Sequence, residues 1–450
     1  MSHLTAELAA FTANPRFPEL PARAVEIVQS GFADTIATML AGRDEPVVRI
    51  AQQFVAARQS SAGESSLLLG NRRAASADAA LVNGAAGHAL DFDDVALGGH
   101  PSTVLVPAVL AEGERLDVSG ADALRAYLVG YEVWAELFSR EPDAYHLKGW
   151  HPTAVLGTVG AAAAVAHLNR LSEEQCRHAI ALAASMACGL VANFGTMTKP
   201  LHAGRAAAAG IDAVRFAAAG LTAAPDAIEH HAGYLAALSP HGRCDRESPA
   251  SKLGQELRVL GYGLSIKKYP ACYATHRVID GVLDLARANH VRVEDVEEVR
   301  ARVGLAQASM LRNHAPKTGL EAKFSLEFAV ASALVAGKVG LGELTDDFVA
   351  KPTVRELMTK VRIATDDSQC PIEPIFALND RVQLVLRDGR TLDSGEIRFA
   401  RGNAMAPLAD ADLRAKFIDC AGRAQGVDAA ALYARLTDLR ALPRLRALAA

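Results

Sequence analysis

The chain has 450 residues, of which 50% are hydrophobic but only 5% aromatic, and its 47 basic and 51 acidic residues give a net charge of −4. This length predicts two domains, and an apolar content made mostly of alanine, leucine and valine favours closely packed helices over a sandwich or barrel. The balanced charge, without a basic stripe, argues against a nucleic-acid partner.

The six cysteines are scattered, with no C-x-x-C pair. This spacing argues against a disulfide framework, a zinc ribbon and a local iron–sulfur motif. The N-terminus has no signal pattern, and no apolar run reaches the ~20 residues that a membrane span needs. We therefore expect a cytoplasmic protein that has no membrane partner.

Helical periodicity runs through most of the chain up to residue 262. The first strong helix opens at Leu20-Pro21 and ends at Gly42. Further helices are predicted over residues 80–89 and from Thr103, Asp122, Thr153, Ser172 and Leu201. Glycine and alanine are dense in these segments and let helix axes approach closely. Residues 1–262 are therefore predicted to form an all-helical domain.

The pattern changes after residue 263. Strands are predicted over residues 296–303 and 361–364, and a hairpin over residues 381–397 turns at Asp388-Gly389. Helical segments are predicted over residues 277–288, 325–336 and 354–361. We predict a smaller α+β domain over residues 263–404, followed by helices within residues 405–450. The predicted fold class is mainly α.

Three predicted helix starts place a proton-carrying or cationic side chain directly before a proline. They are His100-Pro101, His151-Pro152 and Lys199-Pro200. Proline is favoured at the first helical position, so each side chain is expected at a helix cap, where free N–H groups and the helix dipole favour negative charge. If these ends converge, they would hold a small polycarboxylate and supply acid–base groups to it.

Three aspartates, Asp91, Asp93 and Asp94, lie just before His100. On a helix, Asp91 and Asp94 would share one face. One interpretation is an aspartate that orients a catalytic His or Lys. Another is a divalent metal held by Asp91, Asp94 and His100 in a metal-dependent lyase or hydrolase. A third is a simple helix or turn cap, and the residues alone leave the choice open.

Two further segments are candidate anion sites. Lys199, His202 and Arg205 follow an i, i+3, i+6 pattern at one helix start, which suits an anionic ligand. The second segment lies near the predicted domain junction, where clefts favour ligands. Its candidate residues are Lys267 and Lys268 for a carboxylate, and Cys272 and His276 for proton transfer.

At these residues the chain resembles the MmgE/PrpD family over nearly its whole length. The motifs, in chain order, are Asp34-Thr35, His88 with Asp91-Phe92-Asp93-Asp94, His100-Pro101-Ser102, Gly149-Trp150-His151-Pro152-Thr153, Thr198-Lys199-Pro200-Leu201-His202-Ala203-Gly204, Glu229 with Gly233-Tyr234, Lys267-Lys268-Tyr269-Pro270 with Thr275-His276, and Ala322-Lys323-Phe324-Ser325. The resemblance implies a large helical domain completed by residues 405–450, a smaller α+β lid domain, a homodimer, and chemistry without a cofactor or metal.

Activities known in that family include 2-methylcitrate dehydratase, cis-aconitate decarboxylase and iminodisuccinate epimerase, which all act on small di- or tricarboxylates beside a carboxylate. The site residues of the decarboxylase fall on Asp91, His100, His151 and Lys199. Two of its positions differ, because a threonine is replaced by Val95 and a histidine by Cys272. Both changes weigh against cis-aconitate decarboxylase.

The resemblance therefore implies a cofactor-independent lyase of the 2-methylcitrate dehydratase type, with an epimerase of the iminodisuccinate type as the alternative. His151 is expected as the base, since an ordinary imidazole pKa near ~6.5 suits proton transfer at neutral pH, and His100 as the acid, although the residues alone permit the reverse. Lys199 and Lys267 would hold carboxylates and offset enolate charge, while Asp91 would orient a histidine. The retained His and Lys set disfavours an inactive binding protein.

Overall fold

A computed structural model describes residues 3–17, 20–58, 63–373 and 375–449. Within these residues the chain is mainly helical, as predicted, with a four-stranded mixed sheet and a two-stranded antiparallel sheet. Its helices are α1 (Leu4–Ala13), α2 (Ala22–Ala41), α3 (Pro46–Arg58), α4 (Ser76–His88), α5 (Ser102–Leu116), α6 (Gly120–Ser139), α7 (Pro152–Leu168), α8 (Glu173–Met186), α9 (Thr198–Ala218), α10 (Tyr234–Leu238), α11 (Arg258–Tyr262), α12 (His276–Ala288), α13 (Leu305–Met310), α14 (Gly319–Ala322), α15 (Leu326–Ala336), α16 (Asp346–Val349), α17 (Pro352–Met358), α18 (Asp410–Ala421) and α19 (Ala429–Thr437). The strands are β1 (Ser65–Ser66), β2 (Arg73–Ala74), β3 (Val296–Gly304), β4 (Val361–Asp366), β5 (Arg381–Leu386) and β6 (Thr391–Asp393).

Two compact units make up the chain. The first runs up to Ile266 and takes in the residues from Ala409 onward, and the second is Lys267–Leu408. In the first unit, α18 and α19 from the end of the chain pack on α2. None of the helices within the described residues is both long and apolar enough to cross a bilayer.

Small residues allow α4 and α9 to pack in close contact. A Cβ atom at Gly204 would lie 2.1 Å from the Leu81 carbonyl oxygen, and one at Gly84 would lie 2.8 Å from the Cα of Gly204. Neither position accepts a side chain unless the helices separate. This contact brings the last turn of α4, which ends at His88, together with the first turn of α9.

The helix starts follow the predicted pattern in part. His151 is the N-cap of α7, with Pro152 in the first turn, as predicted. For α5 the N-cap is Pro101, so His100 lies one residue before the cap. The expected cap position of Lys199 is wrong, because α9 begins at Thr198 and Lys199 already lies inside its first turn.

The second unit is built on a four-stranded sheet with the order β4-β3-β5-β6. β3 pairs in parallel with β4 and antiparallel with β5, so the predicted strands lie side by side. The predicted turn at Asp388-Gly389 is confirmed, with a φ of 87° at Gly389. β6 is shorter than predicted, because Gly395, with a φ of 68°, interrupts it.

Candidate active site

The chain leaves the helical conformation directly after α4. His88 is the last helical residue, and Asp91 has a φ of 53°, in the left-handed region that costs a non-glycine residue roughly 1–2 kcal/mol. The shared helix face expected for Asp91 and Asp94 is therefore wrong. The three aspartates lie on a loop, and each one meets a different partner.

Asp93 is the carboxylate that bridges two histidines. Both of its oxygens lie 2.9 Å from Nδ1 of His88, and Oδ2 lies 3.1 Å from Nδ1 of His100. Nδ1 of His100 also lies 2.9 Å from the carbonyl oxygen of Asp94. Because all these partners are acceptors, both rings carry a hydrogen on Nδ1 when neutral. Asp93 is thus placed to orient both rings, and the orienting role expected of Asp91 stays a prediction.

Asp91 pairs with the ammonium of Lys199. The Lys199 Nζ atom lies 2.7 Å from Oδ1 of Asp91 and 5.2 Å from the centroid of the Phe194 ring. The same Asp91 oxygen is 4.0 Å from Nε2 of His100. The pair is buried, so the ammonium places a positive charge where the protein screens it less than water would.

Asp94 points away from the histidines. Its carboxylate accepts hydrogen bonds from the backbone N–H, at 3.2 Å, and the hydroxyl of Ser102. That hydroxyl lies 2.7 Å from the hydroxyl of Tyr127. Burial and the nearby Asp34 carboxylate raise the pKa of Asp94 well above its usual range.

His151 pairs with a second histidine. Its Nδ1 lies 3.2 Å from Nδ1 of His202, and its ring meets the edge of Phe194 with the centroids 4.8 Å apart. The ring of His88 lies close to two of these imidazoles. Its centroid is 4.4 Å from that of His100 and 6.0 Å from that of His151. The structure thus brings His100, His151, His202, Lys199 and Asp91 into one buried cluster.

Burial sets the charge of these rings. It lowers the pKa of His88 to about 4, although Asp93 opposes this shift. Burial, together with the Lys199 ammonium and three neighbouring imidazoles, lowers the pKa of His151 well below its usual value. Burial and Lys199 also lower the pKa of His202. At neutral pH these three rings are uncharged, so they are potential proton acceptors.

The predicted metal ligands are only partly brought together. His88, Asp91, Asp93 and His100 place donor atoms within 4.8 Å of one another, whereas Asp94 takes no part. The metal set predicted from Asp91, Asp94 and His100 is therefore wrong in its second member. A cation at this position would also compete with the Lys199 ammonium for Asp91.

The structure does not place the remaining predicted site residues in the histidine cluster described above. Arg205 is exposed on α9, where its charge acts on the carboxyl of Asp212. The other four belong to the second unit, where Lys267, Cys272 and His276 are buried and Lys268 is half-buried. Their roles in substrate binding stay predictions.

Local contacts in the second unit hold two of these residues. The backbone N–H of Cys272 donates to the carbonyl oxygen of Lys323 at 2.9 Å. The ring of His276 lies 5.1 Å from both the Tyr269 and Tyr273 rings, and its Nε2 is 3.3 Å from the carbonyl oxygen of Ala271. These contacts fix the backbone at Cys272 and the ring of His276.

The sequence alone assigns no individual role to His88 or Asp93, which the structure places in the cluster. His88 and Asp93 both stand in the quoted motif, but a pattern of residues does not tell which aspartate meets which imidazole. Nε2 of His88 is buried and has no hydrogen-bond partner among the described residues, which is uncommon for a buried polar atom. His88 therefore adds a further uncharged nitrogen to the cluster.

Comparison with known proteins identifies the family of this chain. Residues 6–247 match the MmgE/PrpD N-terminal domain, and residues 269–436 match the MmgE/PrpD C-terminal domain. Cis-aconitate decarboxylase of Mus musculus is 32% identical over 364 residues, covering 75% of this chain and 70% of the relative. The Homo sapiens enzyme of that name is 30% identical over 409 residues, covering 88% and 83%. The Aspergillus terreus enzyme is 26% identical over 388 residues, covering 80% and 78%. With both domain models matched along the chain, this protein belongs to the MmgE/PrpD family.

Proposed function

We propose that the protein is a cofactor-independent lyase that moves a proton on a small polycarboxylate, at a carbon next to a carboxylate. The contrast between two histidines supports this proposal most directly. His100 stands beside the carboxylates of Asp93 and Asp91, whereas His151 stands beside an ammonium and other imidazoles. Nearby anions favour the protonated ring and nearby cations the neutral one, so His100 suits the acid and His151 the base.

The proposed first step is proton abstraction by His151. Its neutral ring takes the proton on Nε2, and its Nδ1–H donates to Nδ1 of His202, which stabilises the new imidazolium. The electron pair left on carbon spreads into the adjacent carboxylate as an enolate. The Lys199 ammonium offsets that charge, and its effect is large because the site is buried.

The proposed second step uses His100 as the acid. Protonated His100 gives a proton to the leaving hydroxyl, so that the C–O bond breaks, water leaves and a carbon–carbon double bond forms. The Asp93 carboxylate stabilises the imidazolium from the Nδ1 side. In an epimerase, the same acid would instead return a proton to the opposite face of the carbon.

The substrate class comes from the relatives, which are named cis-aconitate decarboxylases. A tricarboxylate is therefore the proposed substrate, and dehydration of the 2-methylcitrate type is the first assignment. Val95 weighs against the decarboxylase, because this half-buried position offers no hydroxyl where the decarboxylase has threonine, but it does not choose between a dehydratase and an epimerase. Decarboxylation of cis-aconitate is the second candidate, favoured by the identity with the mouse and human enzymes.

Proton NMR in D₂O tests these assignments. Chelator-treated protein is incubated in turn with 2-methylcitrate, citrate, cis-aconitate and iminodisuccinate. A new alkene signal with loss of water supports the dehydratase, loss of carbon dioxide the decarboxylase, and deuterium uptake with inversion the epimerase. Activity that appears only after a divalent metal is added contradicts the proposal.

A substitution tests the proposed base. His151→Asn should abolish turnover, while His290→Asn, an exposed site whose left-handed backbone tolerates asparagine, serves as the control.

A further inference from the structure

Lys416 connects the end of the chain to the loop of aspartates. It lies on α18, 324 residues from Phe92, yet its ammonium donates to the carbonyl oxygen of Phe92 at 2.7 Å. Its Nζ atom is also 2.5 Å from Oδ1 of Asp34 on α2 and 3.8 Å from the centroid of the Phe92 ring. The side chains of Lys416 and Asp34 are only 5% and 0% exposed. An ammonium with these partners is held in one place.

The carbonyl that Lys416 holds lies between two residues of the candidate site. Phe92 separates the left-handed Asp91, which pairs with Lys199, from Asp93, which bridges His88 and His100. Fixing the Phe92 carbonyl fixes the peptide plane that leads into Asp93. A left-handed conformation at a non-glycine residue persists only where the surroundings over-determine it. Lys416 supplies one such restraint from a distant segment of the chain.

We propose that Lys416, paired with Asp34, is a positioning residue that holds the loop from Asp91 to Asp94 in the conformation that catalysis requires. It acts through Asp91 and Asp93 and does not touch the substrate. This inference rests on the proposed function, since the roles of Asp93, His100 and Lys199 are part of that proposal.

A positioning role can be separated from a purely structural one. Removing one member of a buried ion pair leaves an uncompensated charge and destabilises the fold, whereas replacing both members by uncharged residues of similar size is often neutral. The hydrogen bond to the Phe92 carbonyl is lost in both cases. Stability and catalysis should therefore respond differently to the single and the double change.

The first test compares Lys416→Met with Asp34→Asn/Lys416→Met by urea unfolding, and by kcat and KM on whichever of the four acids the protein converts. We expect the single variant to lose stability, and kcat to fall roughly 10- to 100-fold in both variants with KM within about threefold, because misplaced catalytic groups affect the transition state. The double variant should regain stability without regaining kcat. Recovery of wild-type kcat together with stability would overturn the proposal.

The matched control is Asp419→Asn/Arg423→Gln, which removes an exposed ion pair at the end of the same helix and should leave kcat unchanged. A second test needs no substrate. In protein with ¹⁵N-labelled histidine, studied at a pH high enough for the rings to be neutral, His100 should show the Nδ1–H tautomer in the wild type and averaged tautomers in the double variant. If the wild type converts none of the four acids, the proposed function fails, but unchanged His100 signals in the double variant would still reject the role of Lys416.

Discussion

The Nδ1 atoms of His151 and His202 lie 3.2 Å apart, so one of these uncharged rings donates a hydrogen bond to the other. When His151 takes up a proton, it becomes the donor, and the bond strengthens because the donor is now charged. In the proposed mechanism, His202 thereby stabilises the protonated base. This is the role that a carboxylate commonly fills beside a catalytic histidine.

Replacing His202 with leucine should lower kcat roughly 10- to 100-fold, because the Nδ1–H of protonated His151 then has no acceptor at His202. KM should change by less than about threefold if His202 contacts His151 and not the substrate. Steady-state kinetics on the acid identified by NMR check this. His167→Leu, at the other end of α7 from His151, is the matched control. An equal loss of kcat in both variants would contradict a specific role of His202.

The pH profile of kcat/KM should reflect the lowered pKa of His151. A base must be uncharged, and a lowered pKa keeps this ring uncharged as the pH falls through ~6.5, where an ordinary imidazole takes up a proton. Activity should therefore persist below that pH and disappear only as the pH approaches the lowered pKa.

Lys199→Met should move this acidic limb to higher pH, because the ammonium that opposes protonation of His151 is gone. The position of the limb can be read even though the variant is slower. Lys252→Met, which removes an exposed lysine paired with Glu256, should leave the limb in place. An unchanged limb in Lys199→Met would mean that His151 is not the group that titrates.

Asp93→Asn should lower kcat by roughly 100- to 10,000-fold, since an amide carries no negative charge to stabilise protonated His100 and keeps only one of the two acceptor oxygens beside His88 and His100. Asp94→Asn is the control in the same loop. The Asp94 side chain bonds to Ser102 and not to the histidines, so kcat of this variant should fall less than about fivefold. Similar losses in the two variants would assign the effect to the loop as a whole.

Gly204→Ala should lower the free energy of unfolding by roughly 1–3 kcal/mol, because its Cβ would lie 2.1 Å from the Leu81 carbonyl and force α4 and α9 apart. Activity should fall as well, since that contact places His88 beside Lys199. Gly261→Ala has no atom within 4 Å of the added Cβ and should be close to neutral. Urea unfolding of both variants measures the difference.

Much of the fold could be predicted because its signals are local. The period of apolar residues predicted the helices of the first unit, and the Asp388-Gly389 turn predicted the hairpin of the second. The ends of elements were less certain. β6 ends at Asp393, two residues before the left-handed Gly395, and α9 begins two residues before its proline. Both ends depend on contacts that the period of apolar residues does not record.

The sequence by itself determined the family and the residue types of the site: the aspartates, the paired His-Pro steps and Lys199 are all visible as motifs. Only the tertiary structure decided that Asp93 meets the two histidines, that Asp94 turns to Ser102, and that His202 lies beside His151. It also brought Lys416 to a carbonyl 324 residues away. The physical reason is that these choices depend on one left-handed backbone angle and on the packing of distant helices, neither of which leaves a local pattern in the chain.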